Sequence, residues 1–221
     1  MQHHPPPIAL VLRRLEKAYG KRPWRTWGRP LDVLVGTILS QNTNDRNSDA
    51  AMDRLRQALP DWDAAAAAPL WQIAGAIRPA GLHRQKAAHI CTILRHLRRQ
   101  YDRCDLDFLR RWPTERIWKY LMDLPGVGPK TAACVLLFSL RRPVLPVDTH
   151  IHRVSRRLGL IGPRTTAEKA HELLAAKVPR DKVYAFHVLM IAHGRQACHA
   201  RRPDHAACVL RAVCPSARKR F

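Results

Sequence analysis

Apolar residues recur at helical spacing along most of the chain, and no stretch shows the alternation of a convincing strand. Ile8 to Tyr19 carries apolar residues at 8, 11, 12 and 15, a stripe on one helical face. Leu31 to Leu39 is apolar almost throughout and reads as a buried helix, ended by the polar run Ser40 to Asn47. Asp49 to Leu59 is amphipathic and is stopped by Pro60. Ala64 to Ile77 predicts an alanine-rich helix with Pro69 at its divide, and Arg78-Pro79-Ala80-Gly81 a turn before the long basic helix His83 to Tyr101. A short segment, Asp105 to Arg111, and a helix, Glu115 to Asp123, lead to a glycine pair, after which Thr131 to Leu140 is again helical. Further helices are expected near 151–158, 166–177 and 181–193. Residues 1–7 read as a disordered start and 20–30 as a loop with two prolines and two tryptophans. There is no internal repeat, and the fold class is all-α.

Composition narrows this picture. A chain of 221 residues that is 46% hydrophobic can bury a core and is not disordered. Its formal net charge is +22, and arginine pairs recur at 13–14, 98–99, 110–111, 141–142, 156–157 and 201–202. Such a balance points to nucleic acid as partner. The six cysteines do not form a disulfide framework: Cys91, Cys104 and Cys134 sit in apolar helical patterns, while Cys198, Cys208 and Cys214 cluster. Met1 to Pro7 lacks the apolar core of a leader, and no apolar run reaches the roughly 18 residues of a membrane span. A soluble, cytoplasmic and nucleoid-associated monomer is expected.

The chemistry gathers around Leu124-Pro125-Gly126-Val127-Gly128-Pro129-Lys130-Thr131-Ala132. Two glycines flank one apolar residue, and Pro129 suits the first turn of the helix that follows. Bare N–H groups at that helix start favour a phosphate, so helix, Gly-x-Gly turn and helix form a clamp for a DNA backbone that reads no sequence. Gly126, Val127, Gly128 and Thr131 are its candidate contacts. Lys130 stands in the first turn, where the dipole opposes a positive charge and favours the neutral amine that a nucleophile needs. Taken alone, the hairpin allows Lys130 to be either a nucleophile or a phosphate contact. Eighteen positions on, Pro146-Val147-Asp148-Thr149-His150 supplies a carboxylate that can cap a helix, deprotonate a lysine or stabilise positive charge on a sugar.

With LPGVGPKTA at 124–132, VDTHIHRV at 147–154 and HGRQAC at 193–198, the chain resembles the endonuclease III family of helix-hairpin-helix DNA glycosylases, from about Leu31 to Cys214. The resemblance implies two lobes. One is a six-helix barrel over 31–140 that contains the hairpin at 115–140. The other joins 1–30 to 141–221 and carries an iron–sulfur cluster loop at 198–214. Lys130 and Asp148 would then face a cleft, with Lys130 attacking C1′ of a damaged nucleotide and Asp148 assisting. The implied function is base-excision repair: a bifunctional glycosylase and AP lyase that removes oxidised pyrimidines from duplex DNA. Two other functions stay open, a thymine or uracil glycosylase acting on G·T and G·U mismatches, and a non-enzymatic clamp.

In the family a glutamine from the loop after the first barrel helix fills the hole left by the extruded base. Gln41 lies one position before that glutamine and Asn42 takes its place, so either is the candidate. Leu82, in Gly81-Leu82-His83, matches the apolar wedge that family members push into the base stack. His150 adjoins the catalytic loop, as a DNA-side group or a packing residue.

Cys198, His205, Cys208 and Cys214 form the pattern C-x6-H-x2-C-x5-C. Endonuclease III-like proteins hold a [4Fe–4S] cluster on four cysteines at these spacings. The expectation is an intact cluster with His205 as fourth ligand, since imidazole can replace thiolate on iron. Zinc on Cys3His, a fourth ligand other than His205, and loss of the cluster are the alternatives. Arg201 and Arg202, in the loop between the first two ligands, are candidate phosphate contacts.

Overall fold

The computed structural model describes residues 4–218, and among them every regular element is a helix. The first three of the residues expected to be disordered lie outside the described range. Helix α1 (Ile8–Tyr19) starts directly after Pro7 and ends at Gly20. Helix α2 (Pro30–Leu39) opens on a proline, whose missing N–H is no loss in a first turn. Helix α3 (Asp45–Ala58) begins four residues before the expected Asp49, because the Asn44 side chain accepts the Asn47 N–H and caps it. The polar run is therefore a tight turn at 40–44 followed by a helical turn. Pro69 ends the alanine-rich region: α4 (Trp62–Ala67) is capped by Asp61, and α5 (Leu70–Ala76) starts after the proline. A 3-10 turn (Arg78–Ala80) precedes α6 (His83–Tyr101), and another (Asp107–Arg111) precedes α7 (Thr114–Met122). Then come α8 (Pro129–Phe138), α9 (Thr149–Arg157), α10 (Ala167–Ala175) and α11 (Val183–Gln196). The short α12 (Pro215–Arg218) carries no periodic signal and was not anticipated.

The chain divides into two compact units, Thr26–Arg142, and Met1–Arg25 with Pro143–Phe221. Trp27 shows why the division falls before residue 30. Its indole lies on the Phe138 ring with centroids 3.6 Å apart, and its amide donates to Phe138 O at 2.8 Å. Ser139 Oγ donates to Gly28 O at 2.7 Å, so 26–30 is stitched to the end of α8.

In Thr26–Arg142 the core is built on α8, whose residues Thr131 to Phe138 are all buried. A helix apolar all round belongs inside. Helices α2 and α7 pack on it, and α6 carries α4 and α5. In the other unit α11 packs between α1 and α9. Val11, Leu12 and Leu15 of α1, Ile151 and Val154 of α9, and Phe186, Leu189 and Met190 of α11 are buried there. Gly194 permits the close approach of α9, since a Cβ at that position would lie 2.8 Å from His150 Nδ1.

Candidate functional site

The Gly-Val-Gly turn joins α7 to α8. Gly126 has φ +75°, and a Cβ there would collide with the His89 ring, so both backbone angle and space require glycine. The Val127 N–H is used inside the turn, donating to Leu124 O at 3.2 Å. Gly128 is extended and caps α8, its carbonyl accepting from the Ala132 N–H at 3.0 Å. The N–H groups of Gly128, Lys130 and Thr131 have no backbone acceptor among the described residues, which leaves them for a ligand. The side chains of Val127 and Thr131 are 7% and 3% exposed. Any contact that Thr131 makes with a phosphate would run through its amide, while the Val127 amide is already used inside the turn. Lys130, second residue of α8, is half-buried and has no hydrogen-bond or ion-pair partner among the described residues.

The ambiguity between Gln41 and Asn42 is a matter of geometry. Gln41 Nε2 donates to Gly126 O at 2.9 Å and lies 3.4 Å from Thr131 Oγ1. Its amide braces the hairpin. Asn42 is exposed, in the left-handed region at φ 52°. Leu82 is left-handed too, at φ 46°, and 55% exposed. Such a backbone is strained for leucine and is held only where neighbours over-determine it.

In the other unit Asp148 caps α9, Oδ1 accepting the Ile151 N–H at 2.8 Å, and is half-buried. His150 is turned to its own helix: Arg153 Nη2 donates to its Nδ1 at 3.0 Å. Burial lowers the His150 pKa. Through Nδ1 the ring buttresses α9. Arg153 continues to Cys198 O at 2.9 Å and Gly194 O at 2.9 Å. One turn on, Arg157 donates to Cys198 Sγ at 3.2 Å, His199 O at 2.6 Å and Ala200 O at 2.8 Å. Two arginines four positions apart thus hold the start of the cysteine loop to α9.

Cys198, His205, Cys208 and Cys214 line one cavity of about 460 Å³, with Val154, Leu158, Ala197 and Leu210 supplying apolar wall. Burial raises the Cys208 and Cys214 thiol pKa values. His193 shares the cavity. It is 1% exposed, its Nδ1 lies 3.0 Å from Tyr19 Oη, and its Nε2 lies 3.6 Å from Cys208 Sγ. Burial pushes its pKa down to about 4, so the ring is neutral. Asp204 shapes the approach to His205 by accepting the Ala206 and Ala207 amides at 2.9 and 3.0 Å. Arg201 and Arg202 are exposed. Among the described residues no three His, Cys, Asp or Glu side chains converge as a preformed single-ion site. Soft sulfur and imidazole donors spaced around a cavity of this size fit a polynuclear group better than one tetrahedral ion.

A Gly-Val-Gly turn between α7 and α8, with a lysine at the start of the second helix, is a helix-hairpin-helix motif. Residues 35–180 match the model of the HhH-GPD superfamily of base excision DNA repair proteins. Endonuclease III of Thermotoga maritima is 35% identical over 191 residues, 86% of this chain and 85% of its own. Endonuclease III of Sulfolobus acidocaldarius is 33% identical over 184 residues, 82% of this chain and 80% of its own. An Arabidopsis thaliana relative is 35% identical over 172 residues, and the chain spans only 59% of that protein's length. A solved non-covalent endonuclease III–DNA complex superposes with a TM-score of 0.82 at 28% identity, over 95% of this chain and 94% of that one. The chain belongs to the HhH-GPD family of base-excision DNA glycosylases, among its endonuclease III-like members. No helix among the described residues is long and apolar enough to cross a membrane.

Lys86, His193, Arg153 and Arg157 carry no individual role in the sequence motifs, although Arg153 and His193 fall within them. The only signal for Lys86 was a charge on the buried stripe of α6 that runs through Ala87, Ile90, Leu94 and Leu97. His193 stood inside a quoted motif, but its neighbours Tyr19 and Cys208 are distant in sequence.

Proposed function

We propose that the protein is a bifunctional DNA glycosylase and AP lyase acting on oxidised pyrimidines in duplex DNA, working with the nucleoid. The observation that carries this reading is Lys130: a lysine at the anion-binding start of α8 with no acceptor among the described residues. A clamp alone has no need of a carboxylate such as Asp148, whereas a nucleophilic lysine needs a group that can take up its proton. In this reading the free amides around Gly128 hold a phosphate beside the lesion, and the damaged nucleotide is turned out of the stack. Asp148 assists, as a carboxylate that can take up a proton or stabilise positive charge on the sugar, and Lys130 reacts as the neutral amine. Lys130 Nζ then bonds to C1′ as the base departs with the electrons of the glycosidic bond and a proton. Ring opening gives an imine between Nζ and C1′. Loss of the C2′ proton then expels the 3′ phosphate, and water releases the amine. Leu82 enters the stack, and Asn42, exposed and left-handed, is the amide that meets the orphaned base.

The cysteine cavity is assigned a [4Fe–4S] cluster held by Cys198, His205, Cys208 and Cys214. The group, when bound, ties the loop ends together and serves structure, not the excision chemistry. His193 then stands beside the Cys208 sulfur as a buried neighbour of the ligand set. Arg201 and Arg202 are held toward DNA phosphates.

Borohydride added during turnover of a thymine glycol duplex is expected to trap a covalent protein–DNA adduct, with strand cleavage in its absence. Release of thymine or uracil from G·T or G·U duplexes, with no release of thymine glycol, would give the function to the mismatch reading instead. Protein purified without oxygen should be brown and hold about four irons per chain. Stoichiometric zinc, or a His205→Ala variant with unchanged iron and spectrum, would displace the ligand assignment.

A further inference from the structure

Lys86 is 3% exposed, yet it carries an ammonium. An ammonium has three N–H groups, and each finds a carbonyl: Leu39 O at 2.8 Å, Gln41 O at 2.6 Å and Ala80 O at 2.8 Å. These acceptors come from two separate segments. Leu39 and Gln41 end α2 and begin the turn that carries Asn42, while Ala80 closes the 3-10 turn before Leu82. The backbone amide of Lys86 also donates to Leu82 O at 3.0 Å. Leu82 is therefore held on both sides by one residue. Asn42 and Leu82 are both non-glycine residues in the left-handed region, at φ 52° and 46°, so both turns need an outside constraint. Gln41, whose carbonyl Lys86 binds, grips Gly126 of the hairpin with its side chain at 2.9 Å.

We propose that Lys86 is a positioning residue that locks the Asn42 turn and the Leu82 turn into one rigid edge, so that gap-filling amide and wedge enter the duplex as a unit. The proposal rests on the glycosylase reading above. Charged donors make it specific: a methionine of similar length would fill the space and leave three buried carbonyls unpaired.

The test follows base extrusion in the full-length protein, from the rise in emission of 2-aminopurine next to a lesion in duplex DNA. Lys86→Met, Leu82→Ala and the double variant are compared with the wild type. Lys86→Met is expected to slow extrusion on the order of 100-fold, the cost of an ångström-scale misplacement. Its cleavage of an abasic site in an unpaired bulge, where no wedge is needed, should fall far less. The double variant should be no slower than the worse single variant, because both changes remove the same action. A folded Lys86→Met with wild-type extrusion, equal losses on paired and bulged substrates, or additive effects in the double variant would overturn the proposal.

Should Lys86→Met not fold, hydrogen exchange on the wild type decides. The amides of Gln41, bonded to Ile38 O at 3.2 Å, and Gly81, bonded to Arg78 O at 3.3 Å, should open with the same free energy. They should also gain protection together on a tetrahydrofuran-site duplex. Independent opening overturns the proposal. If wild type excises and Leu82→Ala is impaired while the two turns behave independently, only this proposal fails. A wild type that neither extrudes nor excises removes the glycosylase reading and the proposal with it.

Discussion

Two lysines stand in the first turn of a helix within the same unit, and they differ in every other respect. Lys86, fourth residue of α6, is almost wholly buried and spends all three N–H groups on carbonyls. Burial lowers its pKa. Lys130, second residue of α8, is half-buried and has no acceptor among the described residues. A satisfied ammonium is fixed in place and cannot leave without exposing its partners. An unsatisfied one has nothing to give up when it binds a ligand. The contrast separates a lysine that builds the molecule from one that the molecule leaves available.

The largest expected effect breaks the second half of the contrast. Lys130→Gln should abolish borohydride trapping and lower strand cleavage by about 1000-fold or more, as loss of a nucleophile does. Its unfolding free energy in urea should stay within about 0.5 kcal/mol of wild type, since no acceptor is orphaned. Lys86→Met should show the reverse in stability, a loss of about 3 kcal/mol measured in the same titration, because buried carbonyls lose charged donors.

Gly126→Ala tests the turn between Gln41 and α8. The added methyl meets the His89 ring at φ +75°, and a cost of about 2 kcal/mol in urea is expected. A change of less than about 0.5 kcal/mol would mean that His89 yields freely. The smallest effect concerns Asp148, a helix cap in the fold and the assisting carboxylate in the proposed reaction. Asp148→Asn keeps an acceptor for the Ile151 N–H and should hold stability, while Asp148→Ala should lose about 1 kcal/mol. Both should be slow in single-turnover excision. Activity retained in Asp148→Asn would reduce this residue to a cap, as Lys86 is to a fastener.

The sequence by itself determined the helical class, nearly every helix and the candidate chemistry. Period and punctuation are local, so α1 and α6 are found at their observed bounds, and Pro69 divides α4 from α5 as its chemistry demands. The Gly-Val-Gly hairpin and the spacing of Cys198, His205, Cys208 and Cys214 are local as well. Only the tertiary structure decided which polar side chains are free. Gln41 and Asn42 are adjacent amides, and 85 positions of chain separate Gln41 from the Gly126 carbonyl that claims it. Leu39 lies 47 positions from Lys86, and Tyr19 lies 174 positions from His193. Arg153 and the approach at Gly194 place the His150 ring, and neither is legible in the motif. The same holds for residues 26–30, which join Thr26–Arg142 because Trp27 stacks on Phe138. A hydrogen bond is set by position in space, and a one-dimensional pattern records the donor without its acceptor.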